Sequence, residues 1–180
     1  MDAMLFTGRS IWTMIHGIAL GGGALMGLSA ALFSLRAMST ADVSDVAAQT
    51  QSRCLAWLTV SIAVALWLTV LVGTYINFPP YRATPPAGLL DLSQYPRSLI
   101  QSDPGTVWLQ SFAMEIKEHV PWIAAMLATA VAFVSVRYRS KLLSDAQLRS
   151  MSTALLAICF VLVFFVALLG IFINKVAPLE

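Results

Sequence analysis

The chain has 180 residues, of which 58% are hydrophobic and 11% are charged, and its formal net charge is +2. Soluble domains have roughly 25% charged residues, so this composition excludes an ordinary water-soluble fold and predicts an all-α membrane protein. The charge is too small and too dispersed for a nucleic-acid-binding surface, so no nucleic-acid partner is expected.

Four long apolar runs follow one another along the chain, and each supplies or nearly supplies the roughly 20 residues that a membrane-spanning helix needs. They predict one membrane domain over 1–180, with transmembrane helices at about 10–36, 54–77, 118–138 and 151–174. The segment 78–117 is the long connection, and its prolines predict an irregular first half. The third run is short, so we expect its helix to borrow flanking residues.

The basic residues predict the orientation of these helices. Lys and Arg gather in the connections that follow the first and third spans, at Arg36, Arg53, Arg137, Arg139, Lys141 and Arg149. Because such residues favour the cytoplasmic side, we expect both termini and the long connection to lie outside, in a bacterial inner membrane.

The two halves of the chain share a weak internal repeat. His16 precedes Arg36 by twenty residues, and His119 precedes Arg139 by the same number. Each Arg is followed by a Ser-Asp pair typical of a helix start, and the second and fourth spans end with similar Gly-containing segments, at Gly73 and Gly170. A duplicated helical hairpin would produce this pattern, with His16 and His119 at the same depth on the outer side. Chance similarity between apolar helices is the alternative.

Two histidines in matched positions are candidate ligands for a haem. Neutral imidazole is an ordinary axial ligand of haem iron, and facing helices of a bundle often hold cofactors. Small residues follow each histidine and would give a flat macrocycle room: Gly21, Gly22, Gly23 and Gly27 after His16, and Ala124, Ala125, Ala128 and Ala130 after His119. Close packing of helices, which also uses small residues, is a compatible alternative. The sequence predicts one haem b, with quinone as a further candidate cofactor.

In their general arrangement, the four spans and two histidines resemble the bis-histidine membrane cytochromes b, although no specific family motif is present. The resemblance implies an electron-transfer subunit with His16 and His119 as iron ligands near the outer face. Such a subunit would belong to a larger redox complex linked to quinol or to a periplasmic carrier, and would not be an enzyme alone. A structural or anchor subunit without a cofactor is the alternative.

A metal site is a further alternative at the start of the third span. Glu115, Glu118 and His119 are close in sequence, and His16 would complete a set of oxygen and nitrogen ligands. We favour the simpler interpretation, in which Glu115, Lys117 and Glu118 form a solvated turn.

The segment before the third span carries a helix signal of its own. Asp103-Pro104 is typical of a helix start. From there, Trp108, Phe112, Glu115 and His119 would share one helical face. We expect an interfacial helix that leads into the third span, with a bend at Pro121.

Overall fold

The computed structural model describes residues 7–38 and 46–178, and helices are the regular structure of that part of the chain. Four helices are long and apolar enough to cross a membrane: α1 (Gly8–Met38), α2 (Val46–Tyr81), α4 (Leu109–Arg137) and α6 (Ala146–Val176). Two short helices, α3 (Pro96–Ser102) and α5 (Arg139–Ser144), lie in the connections. The predicted all-α, four-helix membrane bundle is therefore confirmed.

The long helices are arranged as a square. Helix α1 packs mainly on α2 and α6, and α4 packs mainly on the same two helices. Helices α1 and α4 therefore lie diagonally across the bundle.

Much of the surface of these helices is apolar and faces outward. Only 22–39% of each apolar stretch is buried inside the chain, and large side chains such as Phe33 (75% exposed) and Trp57 (76% exposed) point away from the bundle. Exposed apolar surface on this scale is stable only in lipid. The chain is thus an integral, multi-pass membrane protein.

Two of the long helices extend further into the long connection than the apolar runs predict. Helix α2 ends at Tyr81 rather than near residue 77, and α4 begins at Leu109 rather than near residue 118. The extensions are stabilised by an apolar cluster in which the ends of these helices pack against α3 and α6. Its buried members are Tyr81, Ile100, Leu109, Ala113, Met114, Leu169, Ile173 and Ala177. Only residues 82–108 form the connection, and we call the end of the bundle where they lie the loop end.

The buried positions of the two hairpins repeat at an offset of 100 residues. The matched pairs are Ala24 and Ala124, Leu28 and Ala128, Ala31 and Val131, Leu35 and Ser135, Ser52 and Ser152, and Thr59 and Cys159. Matching His16 with His119 had implied an offset of 103. The buried faces of the two hairpins therefore align at an offset of 100 and not 103. The difference of three residues is nearly one helical turn.

Two sequence predictions concern the start of α6 at Asp145 and the course of α4 at Pro121. The predicted helix start at Asp145 is confirmed, because its carboxylate accepts hydrogen bonds from the backbone N–H groups of Gln147 at 2.9 Å and Leu148 at 3.0 Å. The matching pair, Ser44-Asp45, lies outside the described residues. Helix α4 continues through Pro121 to Arg137.

Candidate functional site

Three segments of π-helix mark the loop end of the bundle. They cover Ile15–Gly22 in α1, Gly73–Asn77 in α2 and Leu109–Met114 in α4. The π-helix accounts for well under 1% of residues in proteins and is frequent at functional sites. Three π-segments at one end of this small bundle make the side chains there candidates for a functional site.

The first π-segment changes which residue of α4 corresponds to His16. A π-turn takes one residue more than an α-turn, and His16 is the second residue of the π-segment Ile15–Gly22, most of which separates it from the buried stripe that begins at Ala24. One extra residue between His16 and Ala24 changes the offset between α1 and α4 to 101, which pairs His16 with Lys117. By position in the bundle, the counterpart of His16 is a lysine.

His16 is half-buried between α1 and α2. Its Nδ1 lies 2.9 Å from the carbonyl oxygen of Thr69, and its ring packs on Gly73, where a β-carbon would lie 2.7 Å from Cε1. A carbonyl can only accept, so Nδ1 carries the proton and the neutral ring keeps a lone pair on Nε2. Only glycine at position 73 leaves the ring this room.

Lys117 occupies the corresponding place between α4 and α6. It is half-buried, and its Nζ lies 2.8 Å from the position that a β-carbon of Gly170 would take. Within the described parts of the chain, its ammonium forms no hydrogen bond or ion pair. An unpartnered lysine inside a membrane span is costly and is by default a candidate functional group.

His119 lies elsewhere. It is exposed, and its Nδ1 bonds to the carbonyl oxygen of Glu115, one turn earlier in the same helix, at 2.7 Å. Two residues of α-helix correspond to a rotation of about 200°, so His119 points away from the bundle when Lys117 points into it. The predicted helical face is also the exposed one, since Trp108, Phe112, Glu115 and His119 are all exposed.

The small residues near the histidines divide into two groups. Gly27 serves close packing, since a β-carbon there would lie 2.8 Å from Cγ1 of Ile62. The alanines Ala124, Ala125 and Ala128 are buried in the core, at 0–1% exposure. The remaining glycines do not face a neighbouring side chain, because no side-chain atom lies within 4 Å of the β-carbon position at Gly21, Gly22 or Gly23. These three, called the glycine groove below, leave an open surface beside His16.

This arrangement does not fit a haem held by both histidines within one chain. His16 lies in the bundle and His119 points outward, and the core between α1 and α4 is filled by side chains. The alternative metal site is not assembled either, because no three His, Cys, Asp or Glu side chains come together in the described residues. The imidazole of His16 and the ammonium of Lys117 both lie at this end of the bundle, each against a glycine of a neighbouring helix.

Comparison with known proteins finds no family model that matches the chain, and no curated protein or solved structure matches it. The function is therefore inferred from the chemistry of the site.

Sequence reasoning missed Lys117 and Thr69. Lys117 was assigned with Glu115 and Glu118 to a solvated turn, because the internal repeat does not predict the carboxylates, but it lies half-buried inside α4. One signal did point to it. The sequence comparison paired Gly73 with Gly170, and these are the two glycines against which His16 and Lys117 pack.

Proposed function

We propose that this chain is a membrane subunit of a quinol-linked electron-transfer complex, in which His16 and Lys117 bind the quinol headgroup. One observation carries the proposal. Two nitrogen groups from diagonal helices lie half-buried at the loop end of the bundle, each packed on a glycine of a neighbouring helix and each able to form a further hydrogen bond.

The two groups are complementary in hydrogen bonding. In the neutral ring of His16, Nδ1 donates to Thr69 and Nε2 is therefore the acceptor, whereas the ammonium of Lys117 is a donor only. A quinol hydroxyl donates one hydrogen bond and accepts others, so it satisfies both nitrogens at once. As its proton moves to Nε2, the negative charge that develops on the oxygen is stabilised by the ammonium.

The glycine groove supplies a route to this pair from lipid. Gly21, Gly22 and Gly23 are half-exposed, and no neighbouring side chain covers their β-carbon positions. A flat, lipid-soluble ring can therefore approach the backbone of α1 beside His16.

The electrons of the quinol would pass to redox centres in partner subunits, so the chain is not proposed to be an enzyme alone. The distribution of Lys and Arg supports a loop end on the outer side of a bacterial inner membrane. A periplasmic electron carrier is a suitable acceptor there. The proposal does not include the haem predicted from His16 and His119, because His119 points away from the bundle, and a visible spectrum tests whether haem is bound.

Equilibrium binding in lipid nanodiscs tests the proposal. A short-chain quinol is titrated against the full chain, against His16→Ala and against Lys117→Met. Losing the hydrogen bond to the charged Lys117 should cost about 1.5–3 kcal/mol, which is roughly 10-fold to 100-fold in affinity. Losing the bond to the neutral ring of His16 should cost about 0.5–1.5 kcal/mol, which is roughly 2-fold to 10-fold.

Two control variants make the titration specific. His119→Ala removes the exposed histidine, and Lys141→Met removes an exposed lysine of α5, so both should bind as the unaltered chain does. Absence of quinol binding by the unaltered chain would overturn the proposal in favour of a structural subunit. Equal weakening by His119→Ala would also contradict it.

A further inference from the structure

A small cleft opens between the first turns of α1 and the last turns of α2, at the loop end. It is lined by Gly8, Arg9, Trp12, Ile76, Asn77 and Pro80. Its volume is about 120 Å³, whereas pockets for drug-sized ligands hold about 300–1,000 Å³. The cleft therefore suits a group of a few heavy atoms and not a ring system.

The polar groups of this cleft lack partners. Arg9 and Asn77 are half-buried on opposite sides of it, and neither side chain forms a hydrogen bond or ion pair with residues 7–38 or 46–178. None of the described residues that line the cleft is acidic. A guanidinium and an amide on two facing helices can both donate to one anion, and guanidinium matches the oxygen geometry of phosphate especially well.

The depth of the cleft indicates where that anion comes from. Arg9 is the second residue of α1, and Trp12 is 41% exposed one turn further along. Tryptophan at the end of a spanning helix typically lies at headgroup level. We propose that the cleft binds the phosphate of an anionic phospholipid, whose acyl chains lie along α1 and α2.

The charge of the cleft predicts a headgroup preference. Phosphatidylcholine and phosphatidylglycerol share the phosphate, but choline adds a cation, and the described lining of the cleft offers no acidic residue to bind it. Phosphatidylglycerol should therefore bind several-fold more tightly. This site is separate from His16 and Lys117, and it does not depend on the proposed function.

Native mass spectrometry of the delipidated full chain in detergent tests the site, with phosphatidylglycerol as the titrated lipid. Arg9→Gln should lower the affinity of the tightest lipid site at least fivefold, and Asn77→Ala should lower it several-fold. Arg82→Gln is the matched control, because Arg82 lies at the same end but packs over the Phe78 ring at 4.7 Å. It should change the affinity less than twofold.

Three results would overturn the inference. Equal losses in Arg9→Gln and Arg82→Gln would indicate unspecific charge attraction. Equal binding of phosphatidylcholine would remove the basis for the anionic headgroup, and displacement of the lipid by millimolar inorganic phosphate would assign the cleft to free phosphate. If Arg9→Gln does not fold, an unchanged affinity in Asn77→Ala is enough to reject the site.

Discussion

The imidazole of His16 lies directly on Gly73, with Cε1 at 2.7 Å from the position of a β-carbon on that glycine. The carbonyl of Thr69, one turn earlier in α2, accepts a hydrogen bond from Nδ1 of the same ring. Two backbone features of α2 thus hold the ring in one orientation and leave its Nε2 for a ligand.

Gly73→Ala should disturb this arrangement. The added methyl group requires the ring to move and to lose its bond to Thr69, so we expect a loss of about 1–3 kcal/mol in unfolding free energy and weaker quinol binding. Thermal unfolding in detergent measures the first effect. Gly23→Ala is the control for stability alone, because Gly23 belongs to the glycine groove. Nothing lies within 4 Å of its β-carbon position, so its unfolding free energy should be unchanged or higher.

A second substitution separates a clash with His16 from a general packing defect. His16→Ala in the Gly73→Ala background removes the ring that the methyl group meets, so it should restore part of the lost stability. If Gly73→Ala is as stable as Gly23→Ala, the ring does not pack on Gly73 as described.

Lys117→Met should stabilise the protein while it removes quinol binding. The substitution keeps the length of the side chain and removes an unpartnered charge from a half-buried position within α4, for a gain of about 1 kcal/mol or more. Thermal unfolding of Lys141→Met, which changes an exposed lysine of α5, should shift by no more than about 0.5 kcal/mol. A destabilised Lys117→Met variant would mean that the ammonium has a stabilising partner.

Gly27 and Ile62 should be energetically coupled across α1 and α2. A β-carbon at position 27 would lie 2.8 Å from Cγ1 of Ile62, so Gly27→Ala should cost about 1–3 kcal/mol. In the Ile62→Ala background that methyl group fills part of the vacated space, and the combined cost should be lower than the sum of the single costs by about 0.5–3 kcal/mol. Strict additivity in thermal unfolding would argue against close packing at Gly27.

The purified chain is expected to show no b-type band in a reduced-minus-oxidised spectrum, with no haem in a pyridine extract. The reason is geometric, because His119 is exposed and bonded to Glu115 while His16 lies within the bundle. A band that is lost in His16→Ala and also in His119→Ala would restore the bis-histidine interpretation of the sequence.

The four spans were predictable because lipid demands about 20 apolar residues from each helix, and that signal is long and strong. The true start of α4 was not predictable in the same way. Its first turns carry Glu115, Lys117 and Glu118, which interrupt the apolar run. They are helical because Leu109 and Met114 pack into the apolar cluster at the loop end. This packing involves residues distant in sequence, so the local sequence pattern does not predict it.

The partner of His16 was missed for a different reason. Matching residue types along the chain pairs His16 with His119, but the register of the buried faces and the π-segment Ile15–Gly22 together pair it with Lys117. A π-turn in an apolar helix has no distinctive composition, so the one-residue shift that it introduces is invisible in the sequence. The repeated glycines at 73 and 170 were the more informative signal.

The most direct test of the account is a double-substitution cycle in quinol binding. If His16 and Lys117 hold one headgroup, they act as a unit, and His16→Ala combined with Lys117→Met should weaken binding little more than either change alone. Titration of the four proteins in nanodiscs provides the comparison. A double variant whose loss equals the product of the single losses would show that the two residues act independently, and that result would contradict the shared site.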